Sequence, residues 1–231
     1  MKYDICSIPI SEVFEPKDGC PVCRLRNLLE SRMIEYITGA AMMEPDVRIE
    51  TNKAGFCLQH YTQCMQQHKH LSVALTMQTR LAELDKQVFG NGPLPKDPVK
   101  QGKAALDSLK RCFVCEQVDR NVERMLENAC HLWMQEREFR QLFAEQPEIC
   151  LPHFGLLTEA ATRVMRKKER TEFCKKASEI SRRSLQAIKA DVDHFCRMYD
   201  YRNRTENADW GTSKDAPERT VRFLTSRAPE K

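Results

Sequence analysis

Apolar residues recur along most of this chain at steps of three and four, the spacing that gives a helix one apolar face. Leu25, Leu28, Leu29, Met33, Tyr36, Ile37 and Ala40 predict a helix from Val22, which Glu44-Pro45-Asp46 ends. A short stretch through Asn52-Lys53-Ala54-Gly55 returns the chain to Cys57, and a second helix opens with His60 on its first turn. Leu71, Ala74, Leu75, Leu81, Leu84 and Val88 continue that face. The pattern then repeats, with Val118, Val122, Met125, Leu126, Ala129, Leu132 and Trp133 before the return at Gln146-Pro147-Glu148. Leu156, Leu157, Ala160, Ala161 and Val164 follow, and Phe173, Ala177, Ile180, Ile188, Val192, Phe195 and Tyr199 mark a final long helix. No strand-like alternation competes with this. The expected fold is all-α, built of duplicated helical hairpins.

Proline and glycine punctuate the pattern. Pro9 and Pro16 leave residues 1–19 irregular, and Gly19 supplies a turn before Cys20. Gly90-Asn91-Gly92-Pro93-Leu94-Pro95 is the clearest break, and Ala104 to Lys110 reads as a brief helix. These breaks divide the chain into a first helical repeat (1–89), a linker (90–103), a second repeat (104–201) and a polar tail (202–231) in which Trp210 is the residue expected to dock.

The candidate chemistry follows the same duplication. Cys20-Pro21-Val22-Cys23 precedes Cys57-Leu58-Gln59-His60 by thirty-three residues, and Cys112-Phe113-Val114-Cys115 precedes Cys150-Leu151-Pro152-His153 by thirty-four. Two cysteines three positions apart can aim both sulfurs at one point about 2.3 Å away, and Cys-x-x-His does the same on a first helical turn. Each repeat therefore carries three thiolates and one imidazole, the ligand complement of a closed tetrahedral site. The expectation is two Zn2+ per chain, held by Cys20, Cys23, Cys57 and His60 in one repeat and by Cys112, Cys115, Cys150 and His153 in the other. Imidazole and hard closure favour zinc over an iron–sulfur cluster, the alternative occupant. Cys64 reads as a small core residue or a spare ligand; Cys6, Cys130, Cys174 and Cys196 read as packing, and His68 and His70 as solvated.

Eleven cysteines among 231 residues change the picture only after the compartment is considered. No apolar stretch near Met1 resembles a signal peptide and no run approaches eighteen apolar residues, so a reducing cytoplasm is expected and a membrane is not. The net charge of +4 demands no polyanion. Residues 166–189 are locally basic, with Arg166, Lys167, Lys168, Arg170, Lys175, Lys176, Arg182, Arg183 and Lys189. They offer a nucleic-acid-binding alternative, against the commoner solvated helix face. No phosphate-cradling loop, H-E-x-x-H or G-x-S-x-G motif is present, and neither set of four ligands leaves the open position that a catalytic zinc keeps. The sequence leans to a non-enzymatic zinc protein that presents a helical surface to a protein partner, with a zinc-thiolate redox sensor as the alternative.

The order C-P-x-C, a helix, G-F-C-x-x-H, then C-x-x-C and C-L-P-H-F resembles an uncharacterised family of bacterial cytoplasmic proteins. The likeness extends to Asp200-Tyr201-Arg202-Asn203 and Asp209-Trp210-Gly211. It implies the duplicated metal sites and no activity. Phe113 stands where the first pair has Pro21.

Overall fold

Helices account for nearly all the regular structure in the computed structural model, which describes residues 10–90, 97–200 and 209–228, and no strand occurs among those residues. The elements run α1 (Ile10–Phe14), α2 (Pro21–Thr38), α3 (Pro45–Ala54), α4 (Leu58–Gln66), α5 (His70–Leu84) and α6 (Pro98–Ser108). They continue with α7 (Phe113–Gln135), α8 (Arg137–Ala144), α9 (Leu151–Val164), α10 (Lys167–Met198) and α11 (Ala216–Thr225). A 3₁₀ turn at Ala40–Met43 and a π turn at Asp85–Phe89 join neighbours. Among the described residues, the chain divides into a first unit, 27–121, and a second unit formed by 10–26 with 122–228.

This division differs from the tandem one expected from the breaks in sequence, and in each half the outgoing helix is longer than the returning one. At 1.5 Å per residue, α2 carries the chain about 27 Å while the returning α3 covers about 15 Å. The disparity is larger in the second half, about 35 Å for α7 against about 12 Å for α8. Part of the expected linker, 91–96, lies outside the described residues, as does Cys6.

Within the first unit, α3 packs on α5. Arg48 fastens the pair, its guanidinium donating to the Met42 carbonyl at 3.1 Å, to the Leu75 carbonyl at 2.9 Å and to Thr79 Oγ1 at 3.1 Å. The helix expected to run from His60 to Val88 is broken between Gln66 and His70, where His68 adopts φ 57°. A left-handed histidine is uncommon but tolerated in a turn.

Helix α6 buries none of its residues, so its ends matter more than its packing. Pro98 occupies its first turn, and Asp97 Oδ1 accepts hydrogen bonds from the backbone N–H groups of Val99 (3.1 Å) and Lys100 (3.3 Å). This is an N-cap that satisfies two otherwise orphaned donors. Asp97→Ala is expected to cost about 1 kcal/mol locally. Amide hydrogen exchange would report it as faster exchange in 98–108 with the rest of the chain unchanged.

The second unit has an aromatic core. Phe14 of α1 meets Phe139 edge-on at 5.2 Å and Phe143 at 5.9 Å, both from α8. Phe173 of α10 completes the cluster, 4.9 Å from Phe143 and 5.5 Å from Trp133. Along α10, Phe173, Ala177, Ile180, Ser184 and Ile188 form the buried stripe at steps of three and four. The tail is more structured than its polarity suggests. Trp210 packs against Phe195 and Tyr199 at 5.7 and 5.6 Å, and α11 follows with Phe223 fully buried. Ala216, Thr220 and Phe223 supply the helical spacing, which three apolar-side positions in a charged stretch barely announce.

Candidate metal centres

Each Cys-x-x-Cys pair sits where an irregular stretch enters a long helix, and each Cys-x-x-His pair begins a shorter one. Cys57 and Cys150 are the N-cap residues of α4 and α9, both in extended backbone, with His60 and His153 on the first turn. An extended cysteine followed by a helical histidine directs both side chains off the helix start. Gly55 makes the approach to Cys57 with φ 63°, in the left-handed region.

The eight expected ligands do converge, but in crossed pairs. Cys20 and Cys23 meet Cys150 and His153 in the second unit, and Cys57 and His60 meet Cys112 and Cys115 in the first. The expected assignment of Cys20 and Cys23 to Cys57 and His60, and of Cys112 and Cys115 to Cys150 and His153, is thereby corrected. Spacing along the sequence could supply the ligand types but not their partners, because the partners are brought together by packing between segments far apart in the chain.

In the second unit His153 Nδ1 lies 3.6 Å from Cys20 Sγ, 3.3 Å from Cys23 Sγ and 3.1 Å from Cys150 Sγ. Cys23 and Cys150 sulfurs stand 3.6 Å apart, and all four residues are buried. In the first unit His60 Nδ1 lies 3.1 Å from Cys57 Sγ, 3.2 Å from Cys112 Sγ and 3.5 Å from Cys115 Sγ. There His60 and Cys112 are buried while Cys57 and Cys115 are half-buried. A tetrahedral ion with arms of about 2.3 Å to sulfur and about 2.0 Å to nitrogen would set its ligands about 3.5–3.8 Å apart. The observed separations are close to that, so the donor sets fit one divalent ion each.

Their electrostatics fit as well. Burial pushes Cys20 up, but hydrogen bonds from Cys150, Cys23 and His153 more than offset it and hold that thiol well below its usual range. Hydrogen bonding with Cys20 in turn drives Cys150 up to about 12, and Cys23 rises through its bonds to Cys150 and Cys20. In the first unit burial opposes ionisation of Cys112, yet His60 brings it down to about 6. Burial and the neighbouring Cys112 charge push Cys115 up to about 12. Burial disfavours the His60 cation, while Cys112 and Glu30 outweigh it and raise His60 to about 10. Each group thus ionises one thiol at the expense of its neighbours, the conflict that a shared cation resolves.

The other cysteines and histidines stay outside both groups. Cys64 and Cys130 are buried thiols that burial pushes up to about 12. Cys174 is half-buried, while Cys196, expected to pack, is exposed. His68 and His70 are exposed. The basic residues of 166–189 fall on more than one face of α10. Lys168, Lys175, Arg182 and Lys189 are exposed at intervals of seven, whereas Lys176 pairs with Glu179 and Arg183 donates to the Gln146 carbonyl at 2.6 Å.

Two residues at the first unit's site escaped sequence reasoning. Glu30, only 8% exposed, accepts from His60 Nε2 at 2.6 Å. Arg80, 5% exposed, donates to backbone carbonyls on the two segments that lead to Cys57 and Cys112. The one clue to Glu30 was an acid next to Leu28 and Leu29 within an apolar run.

Among the described residues no helix is long and apolar enough to cross a membrane. No curated protein matches the chain, and neither does any solved structure. Over residues 1–231, however, it matches a family of unknown function, DUF6062, and the chain belongs to that family.

Proposed function

We propose that the protein is a non-enzymatic, zinc-stabilised helical module in which each Cys3His group holds one Zn2+ and closes its own unit. The observation that carries this reading is the convergence of three sulfurs and one imidazole nitrogen within 4.8 Å of one another at both sites. Four protein donors fill a tetrahedron and leave no place for substrate or activated water, so the role is structural rather than catalytic. Three thiolates suit zinc, and a reducing cytoplasm keeps them available.

The working surface, in this reading, is helical and meets a protein partner. Leu58, Leu71, Val99, Leu106 and Leu109 of the first unit are each at least two-thirds exposed. Exposed apolar side chains of this kind are where a protein partner would be sought first.

Protein purified without added metal should contain two zincs per chain, and a strong chelator should lower its thermal midpoint. Absence of metal, or chelation that leaves melting unchanged, would overturn the structural-zinc reading. Iron in place of zinc would return the cluster alternative.

A second reading, a redox sensor, draws on the half-exposed Cys57 and Cys115 of the first unit. Peroxide would oxidise those thiolates first and release one metal reversibly. Retention of both metals under such treatment would exclude it. Nucleic-acid binding through α10 has less support, since its basic residues are divided between faces. A salt-sensitive shift of labelled RNA or DNA, lost on reversing Lys167, Lys168, Lys175 and Lys176, would restore it.

A further inference from the structure

The two candidate centres share a ligand set but differ in what supports it. In the first unit the imidazole of His60 is gripped from both sides. Its Nδ1 faces the three sulfurs, while Nε2 lies 2.6 Å from Glu30 Oε1. The same carboxylate oxygen accepts from Gln59 Nε2 at 3.2 Å, so Glu30 is itself held. His60 is 1% exposed and Glu30 8%, which excludes bulk water from the pair. No carboxylate partner for His153 occurs among the described residues. The contrast runs against exposure: the second unit's four ligands are all buried, whereas Cys57 and Cys115 of the first are reached by solvent.

Resting on the zinc reading above, we propose that Glu30 is the positioning residue of the first unit's metal centre and makes the two centres unequal. By accepting the Nε2 proton it fixes the tautomer of His60 that leaves Nδ1 free to bind metal. It also prevents the ring from rotating away from sulfurs that water can reach. Outer-shell carboxylates of this kind hold a histidine's orientation and raise its basicity toward the metal. The second unit's centre relies on burial in place of such a partner.

Glu30 also lines a cavity of about 290 Å³ together with Asn27, Ser31 and Gln63. Shortening the side chain there extends an existing space rather than opening one in a packed core, which favours retention of the fold.

The test uses the full chain loaded with zinc, titrated with a chromophoric chelator. Glu30→Ala should make one of the two zincs about 10- to 100-fold easier to remove and leave the other unchanged. Glu30→Gln keeps an oxygen that can accept from Nε2, so it should restore most of the lost affinity. Nitrogen NMR of labelled histidine should show His60 protonated at Nε2 in the wild type and in Glu30→Gln. In Glu30→Ala that state should be lost or exchanging. Asn27→Ala removes a neighbouring cavity residue and should change neither zinc. The second unit's zinc is the internal reference for release, and the first unit's own calorimetric transition reports that each variant is folded. Identical release from wild type and Glu30→Ala, equal weakening of both zincs, or the same effect from Asn27→Ala would overturn the positioning role alone. A wild-type chain without metal would overturn the zinc reading as well.

Discussion

Cys20→Ser and Cys150→Ser are expected to empty the same site, and Cys57→Ser and Cys112→Ser the other. Each single variant should retain one zinc. The double variant Cys20→Ser/Cys150→Ser should also retain one, whereas Cys20→Ser/Cys57→Ser should retain none. Pairing within each sequence repeat would reverse the two double variants, so the metal count distinguishes the arrangements. The effect on folding should be large. Structural zinc supplies about 10–16 kcal/mol in finger peptides at neutral pH. A whole domain has a stability of about 5–15 kcal/mol. Even a third of the zinc contribution, about 3–5 kcal/mol, would be a large share of a unit's stability. Loss of Cys150 should therefore melt the second unit at a lower temperature, visible as a separate transition in calorimetry, with the first unit's transition retained. Two zincs surviving in Cys20→Ser/Cys150→Ser would refute the ligand assignment.

Arg80→Met should produce the next largest loss, about 3 kcal/mol on the first unit. The guanidinium donates to the Asn52 carbonyl, to the Lys53 carbonyl at 3.3 Å and to the Ser108 carbonyl at 2.7 Å. These are last-turn carbonyls of α3 and α6, groups that a helix cannot satisfy internally and whose partial negative charge attracts a cation. One side chain thus joins two helix ends. Just beyond them, the Gly55 carbonyl accepts from the Phe113 N–H at 2.9 Å, which draws the Cys57 and Cys112 segments together. Methionine fills much of the same volume but leaves the carbonyls unpaired. Lysine retains charge without the planar fork and should recover only part of the loss. Gly55 is constrained by the same feature, since a Cβ there would stand 3.1 Å from Arg80 Nε. Urea unfolding of Arg80→Met against Arg80→Lys checks the claim; indistinguishable midpoints for wild type and Arg80→Met would contradict it.

The Cys and His candidates that group together and the helical character were legible in the sequence because both depend on short-range spacing. Cys57 to His60 is a single helical turn, and Leu25, Leu29, Met33 and Ile37 report their shared face within one element. Partner choice was not legible. It depends on packing between segments 52 and 127 positions apart, which short-range periodicity does not report. The return stretches read as short connections, yet they hold α3 and α8, which bury only Val47, Thr51 and Ala54, or Phe139 and Phe143. Glu30 and Arg80 escaped for another reason. A charged residue inside a helix looks solvated until its partner is known, and their partners lie 30 and 28 positions away.

Crossed ligation also sets a timetable. The first unit's site closes a span of 52 residues between His60 and Cys112, while the second closes 127 between Cys23 and Cys150. At equilibrium the longer closure costs only about 0.8 kcal/mol more, because loop entropy grows with the logarithm of length. During synthesis the difference is one of order. At about 5–20 residues per second, Cys20 and Cys23 must wait many seconds for Cys150, long after 27–121 has been made. The first of the eight candidate ligands to leave the ribosome are the last to meet their partners, and metal supply in that interval should govern how much of the chain reaches its final form.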